Sequence, residues 1–139
     1  MTDNKEGMSP LYRIIDANLN RLKEGIRVCE DIQRYCFNDK TKAYILKDLR
    51  HKAVIKDYEK LLGSRDIKND PLKKTTKDES ERENIKQILT ANIKRAQESS
   101  RVLEEMLKLI DINEAEKFKQ IRYNLYHIEK KFFDDEGEE

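Results

Sequence analysis

Two prolines and four glycines in 139 residues leave little material for turns. A chain so poor in breakers favours long helices with few connections. Cys29 and Cys36 fall seven positions apart on one predicted helix, about 10 Å along its axis at 1.5 Å per residue. That separation excludes a bridge within the helix, and two buried thiols acting as small hydrophobes suit a cytoplasmic protein. No apolar run approaches the roughly 18 residues of a membrane span. Met1 to Ser9 is polar and acidic, unlike a signal peptide. The formal net charge is +1 with aromatics at 7%, and the charges alternate in sign. There is thus no field to draw nucleic acid and no basic, aromatic-laced platform for single strands. Neither nucleic acid nor a membrane is expected as a partner.

Familiar catalytic signatures are also missing. The sequence has no Gly-x-x-x-x-Gly-Lys-Ser/Thr loop, no Gly-x-Gly-x-x-Gly, no His-Glu-x-x-His and no Cys-x-x-Cys, which argues against a phosphate loop and against zinc. Glu-x-x-His is absent as well, so a ferritin-like diiron bundle is disfavoured. His51 and His127 are isolated and are assigned partly exposed structural roles.

What is present is an internal repeat. Residues Ile14–Ile32 align with Ile88–Met106 at a shift of 74 without a gap, and eight of the 19 positions are identical. The shared pattern is Ile-x-x-Ala-Asn-x-x-Arg-x-x-Glu-x-x-Arg-Val-x-Glu. Ile15, Leu19, Leu22, Ile26, Cys29 and Ile32 form an apolar seam with gaps of four and three. Leu89, Ile93, Ala96, Ser100, Leu103 and Met106 repeat it. That period is the packing seam of a helical bundle. Beside each seam runs a second row: Ile14, Asn18, Arg21, Gly25 and Val28, matched by Ile88, Asn92, Arg95, Ser99 and Val102. At 100° per residue these rows lie at the edge of the core. Their Asn and Arg residues are either boundary groups that fix helix register or parts of a site.

The predicted order follows from caps and breakers. Met1–Met8 reads as a leader, and Ser9-Pro10 as a helix start. Helix one runs from about Pro10 to Tyr35, and Asn38-Asp39 marks a turn. Helix two runs from about Thr41 to Leu62 and stops at Gly63 in the left-handed conformation. Leu46–His51 is echoed by Phe118–Tyr123 at a shift of 72, which makes the repeated unit a helical hairpin. Gly63–Lys77 is the one long connection. Arg65, Lys73 and Lys74 have no obvious partners in it, so it is expected to be mobile until an anion orders it. Asp78-Glu79-Ser80-Glu81 forms a capping box opening helix three, which runs to about Leu109. Helix four runs from about Glu114 to Phe133. The expected fold is all-α: one domain of four long antiparallel helices, a pseudo-twofold bundle built from a duplicated hairpin. Its parts are repeat one (10–62), a connection (63–77), repeat two (78–133) and an acidic tail (134–139). Closure within one chain or across a homodimer is left open.

The chemistry available is Arg beside carboxylate. Arg forks suit phosphate oxygens, and Mg²⁺ on a nucleotide needs few protein groups. Phosphoryl transfer demands mainly positioning and charge neutralisation. In a chain with 41% charged residues, surface pairs at i,i+3 and i,i+4 are the competing explanation.

Leu11–Asp31, Leu46–His51 and Ala91–Glu105 together resemble a small family of short helical kinases for hydroxymethylpyrimidine phosphate in thiamine biosynthesis. These occur alone or fused ahead of a thiamine-phosphate synthase domain. The likeness runs from about Leu11 to Phe133. It implies transfer of phosphate from ATP to 4-amino-5-hydroxymethyl-2-methylpyrimidine phosphate, giving the diphosphate. Mg-ATP would be a co-substrate, with no tightly bound cofactor. The family connection reads Arg-Asp, Asp-Val-Gly, Glu-x-x-Arg. Arg65-Asp66 and Glu79-x-x-Arg82 match, while Asp70 is followed by Pro71-Leu72 in place of Val-Gly. With no synthase segment after Glu139, a stand-alone form is expected. From the chemistry, Arg21, Arg95 and Asp66 are candidates at the reacting phosphate. Asn18, Asn92, Arg50, Arg65, Arg82 and Arg122 are candidates for substrate and phosphate binding, and Glu24, Glu98 and Asp70 for Mg²⁺. The competing reading is a non-catalytic helical scaffold or binding module, dimeric or docked on a thiamine enzyme. Ligand-induced thermal stabilisation separates the two.

Overall fold

A computed structural model describes residues 2–75 and 82–134, with side chains for 8–75 and 82–132. All regular elements among them are helical: α1 (Thr2–Asp31), extended by a π turn at Ile32–Cys36, then α2 (Lys40–Lys52), α3 (Tyr58–Ser64), α4 (Ile85–Leu107) and α5 (Ile112–Asp134). The repeat-one seam is buried from Ile15 to Ile32. In repeat two Leu89, Ile93, Ala96, Ser100 and Leu103 are buried; Met106 is only partly covered, and Leu107 takes the inner place. The seams meet Leu46, Leu49, Phe118, Ile121, Leu125 and Ile128 in one core. Each such aliphatic side chain contributes about 1.5–3 kcal/mol by leaving water. α1 packs along α2, α3 and α4, while α5 packs on α4 and α2. Ser100 sits at this junction, where its Oγ donates to the Phe118 carbonyl at 2.7 Å.

The largest departure from the expected fold is the second helix. One rod from Thr41 to Leu62 is replaced by α2, a turn and α3, so the described chain has five helices. Leu46, Leu49 and Ala53 follow the buried period, and Ala53 is fully buried. A helix continued past Ala53 would bring Lys56, Asp57 and Lys60 onto that face, where charge is costly. The chain breaks instead, and the new direction buries Leu61. Lys117 Nζ donates to the Val54 carbonyl freed by the break, at 2.6 Å. Gly63 lies inside α3 and has no positive φ, so it is not the stop that was expected.

The other boundaries move for local reasons. α1 begins before Ser9-Pro10 and carries Pro10 inside it. Proline's fixed φ is helical, so the cost there is the missing N–H and the crowding of the preceding turn. After the π turn, Asn38 takes φ 52°, a left-handed value that Asn tolerates. Asp39 then caps α2, accepting from the Lys42 amide at 3.0 Å and from Lys42 Nζ at 2.9 Å. α4 starts at Ile85 rather than at Asp78. Asn84 accepts from the Gln87 amide at 2.9 Å, and Gln87 Oε1 accepts from the Glu83 amide at 2.6 Å. The capping box expected at 78–81 and the acidic tail beyond 134 lie outside the described residues.

The two cysteines differ sharply. Cys29 is buried, with its thiol donating to the Leu89 carbonyl at 3.6 Å, and Cys36 is exposed. Burial, helped by the charge of Glu129, pushes the Cys29 thiol from 9.0 up to about 12. In the native protein Cys36, being exposed, is therefore expected to react with a thiol reagent, with Cys29 reacting only on unfolding. Below pH 9 folded and unfolded chains both keep the Cys29 proton, and its contribution is complete. Between about 9 and 12 only the unfolded chain releases it, so stability falls as pH rises, by up to about 1.4 kcal/mol per pH unit. Urea melts at pH 8 and pH 10 would show a smaller loss in Cys29→Ala than in the parent. An equal loss would refute this linkage.

Candidate functional site

α1 and α4 cross at Gly25. A Cβ built there would lie 2.9 Å from the Asn92 carbonyl oxygen and 3.4 Å from Ala96 Cβ, so only a glycine lets the backbones come so near. On the outer side of this crossing a cleft of about 580 Å³ is lined by repeat-related pairs. α1 supplies Asn18, Arg21 and Glu24, and α4 supplies Asn92, Arg95 and Glu98. The helices run antiparallel, since Gly25 meets Asn92 and Ala96 while Cys29 meets Leu89, so the two Asn lie towards opposite ends of the cleft. Gly25 with Ser99 and Val28 with Val102 complete the wall. Arg21, Arg95, Glu24 and Glu98 are exposed, while Asn18 is buried. The two Asn residues are held alike: Asn18 Nδ2 donates to the Ile14 carbonyl at 2.9 Å, and Asn92 Nδ2 to the Ile88 carbonyl at 2.8 Å. Each amide is thereby fixed with its oxygen left as an acceptor. Valine ends, amide acceptors and two guanidinium forks suit a small polar ring carrying an anion.

A second groove, about 680 Å³, shares Asn18, Arg21 and Glu24 with the cleft and runs between α1 and the connection. Its outer wall comes from Arg65, Asp66, Ile67, Asp70 and Pro71. Arg65, expected without a partner, donates to both oxygens of Asp16 at 2.8 Å. Asp16 is buried, and its hydrogen bond holds the Arg65 guanidinium charged. Arg13 Nη2 donates to the Asp66 carbonyl at 3.0 Å. Asp66 accepts from Asn69 Nδ2 at 2.6 Å and from the Asn69 amide at 3.2 Å, and these two bonds hold its carboxyl below the ordinary range. Asp70 Oδ1 accepts from the Leu72 amide, a side-chain turn that Pro71 accommodates. Lys73 Nζ is also placed, donating to the Lys68 carbonyl at 3.1 Å.

The remaining candidates lie elsewhere. Arg82 lines a separate recess with Lys86 and Thr90. Arg50 reaches Glu30 at 2.8 and 3.3 Å. Arg122 reaches Glu104 at 2.8 Å. These are equivalent pairs, since Arg50 and Arg122 are related by the hairpin echo and Glu30 and Glu104 by the main repeat. Both are committed to carboxylates at the edge of the core, away from the cleft lining. Sequence reasoning missed Arg13 and Asp16. Asp16 carried a signal: within the repeat it is a charge that stands opposite an uncharged residue, Thr90.

Among the described residues no three His, Cys, Asp or Glu side chains cluster as a metal site, and no helix is long and apolar enough to cross a membrane. Fold and site thus define an all-helical protein with a duplicated, charged cleft and an adjoining groove. The chain belongs to the ThiD2 family, whose profile matches residues 13–131. It is similar to proteins named thiamine-phosphate synthase. The one from Nostoc punctiforme is 41% identical over 120 residues, covering 86% of this chain and 34% of that protein. That from a further Nostoc strain is 36% identical over 129 residues, covering 92% and 37%. That from Thermosynechococcus vestitus is 38% identical over 121 residues, covering 86% and 34%. The chain spans about a third of the length of these relatives. No solved structure matches it.

Proposed function

We propose that the chain serves thiamine biosynthesis as an ATP-dependent kinase, converting hydroxymethylpyrimidine phosphate to its diphosphate. The observation that carries this reading is the cleft lined by Asn18, Arg21 and Glu24 of α1 together with Asn92, Arg95 and Glu98 of α4. Membership of the family and the name of its thiamine-phosphate synthase relatives support the pathway. In the reaction a phosphate oxygen of the pyrimidine monophosphate attacks the terminal phosphorus of ATP. A new P–O bond forms, the bond to the bridging oxygen breaks, and ADP leaves with that electron pair. The attacking oxygen is already anionic, so the site needs forks and charge rather than a base. Arg21 and Arg95 neutralise the phosphates. Glu24, Glu98 and Asp70 are available to the Mg²⁺ that arrives with ATP, an ion that takes one or two carboxylates and keeps its waters. In the same reading the two repeats form one domain, an antiparallel bundle with a pseudo-twofold axis through the cleft. Both motif copies lie in one chain, so the site needs no second protomer.

The competing reading is a non-catalytic module that docks on a thiamine-phosphate synthase. It is favoured by the match to only about a third of proteins with that name. A coupled ADP-release assay with the pyrimidine monophosphate decides between them. The kinase reading expects turnover that depends on both substrates, and a melting temperature raised by each ligand, by about 2.7 kcal/mol of added stability at a hundred times its Kd. No ADP release and no thermal shift with either ligand would leave the docking module.

A further inference from the structure

The cleft and the groove share one wall, Asn18, Arg21 and Glu24, and differ in everything else that lines them. From this we infer that they are two subsites: the cleft takes the pyrimidine monophosphate and the groove takes the Mg-nucleotide. The inference rests on the kinase reading, breaks the equivalence of its two arginines, and leaves Glu98, which lines only the cleft, out of the Mg²⁺ set. Arg21 borders both spaces, whereas Arg95 borders only the cleft.

The chemistry of the two linings assigns the ligands. In the cleft, each end offers one fixed amide oxygen that can accept from an exocyclic amine and one valine, Val28 or Val102, as an apolar surface for a small ring. Arg95 is then left for the monophosphate. The groove is larger, and it places Asp66 and Asp70 with Glu24 near Arg13 and Arg65. Acidic and basic groups side by side suit a polyphosphate with its divalent ion. Ile14, Ile67 and Pro71 add an apolar strip for a base. Each space falls within the ordinary range of ligand sites, about 300–1,000 Å³. Ligands in the two spaces meet only at the shared wall, so transfer occurs across Arg21. The Asp16–Arg65 fork ties the connection to α1 and so holds the groove's outer wall in place.

The asymmetry is testable in kinetics and in binding. Arg95→Lys is expected to raise the KM for the pyrimidine monophosphate about tenfold and leave the KM for ATP unchanged. Arg13→Ala is expected to do the opposite. Arg21→Lys is expected to lower kcat at least tenfold, since it touches both reacting groups. Melting temperatures check that each variant is folded. Calorimetric titration of the pyrimidine monophosphate into protein saturated with a non-hydrolysable Mg-ATP analogue is expected to show undiminished binding. Competition between the two ligands, or Arg95→Lys acting on ATP and Arg13→Ala on the pyrimidine, overturns the two-subsite assignment while leaving a working kinase. A parent protein that neither binds nor turns over these ligands removes the kinase reading itself, and the assignment with it.

Discussion

Arg122→Ala is expected to lower stability by about 3–5 kcal/mol, the usual cost of removing one partner of a buried ion pair. In a domain of this size each kcal/mol moves the melting temperature by about 3–4 °C, so a fall near 10 °C or more follows. Arg122 is 8% exposed and Glu104 6%, and they meet at 2.8 Å. The Tyr126 hydroxyl, then Glu104, hold the guanidinium charged at any ordinary pH. The same guanidinium lies 4.9 Å from the Tyr123 ring centroid and 5.8 Å from that of Tyr126, so truncation also removes stacking. Glu104 would be left buried, with Arg101 at 3.7 Å as its nearest remaining cation. Two controls sharpen the result. Arg50→Ala, at the more open equivalent pair, should cost less. Replacing both members by apolar residues, Arg122→Met with Glu104→Leu, should recover most of the loss, because no lone charge remains. A single-variant cost under about 1 kcal/mol would show that the pair behaves as an exposed one.

Gly25→Val is expected to be nearly as damaging, by about 3 kcal/mol, at the upper end of ordinary overpacking. Its Cβ would fall 2.9 Å from the Asn92 carbonyl oxygen. That oxygen belongs to helix backbone and has no rotamer to escape into, so α1 and α4 must separate. The gain in helix propensity over glycine is only a few tenths of a kcal/mol for valine and cannot offset this. Because the same crossing forms the base of the cleft, binding of the pyrimidine monophosphate is expected to weaken at least tenfold in the folded fraction. Gly63→Ala is the matched control. Nothing lies within 4 Å of a Cβ there, so a neutral or slightly stabilising effect, up to about 1 kcal/mol, is expected. A Gly25→Val protein that melts like its parent would show that the helices have slack at the crossing.

How far the chain could be read from its letters depended on the range of the forces involved. The two seams were legible because burial acts on every third or fourth residue, and Ile15, Leu22, Ile26, Ile93 and Leu103 are all fully buried. The rows beside them were legible as rows, since Asn18 with Asn92 and Arg21 with Arg95 stand at equal offsets from each seam. The end of the second helix was not. It is set by which side chains would have been buried past Ala53, and that depends on where α1 and α5 lie. Nor was the start of α4, because both Asn84 and the acidic run before it carry capping chemistry. The groove was the least legible part. Arg65 finds Asp16 from 49 residues away, and no local pattern announces such a partner. Arg50 and Arg122 looked like free forks in the sequence; their carboxylates sit 20 and 18 residues away on neighbouring helices.

The mismatch of Asp16 with Thr90 has a consequence for direction. A lining that repeats residue for residue offers a ligand two poses of equal energy, related by the repeat. Half of such encounters would be back to front. Asp16 lies beside that lining, in the groove, and removes the degeneracy, because only the α1 side of the cleft adjoins a carboxylate that anchors Arg65 and the connection. One buried carboxylate thus gives a duplicated structure a front and a back.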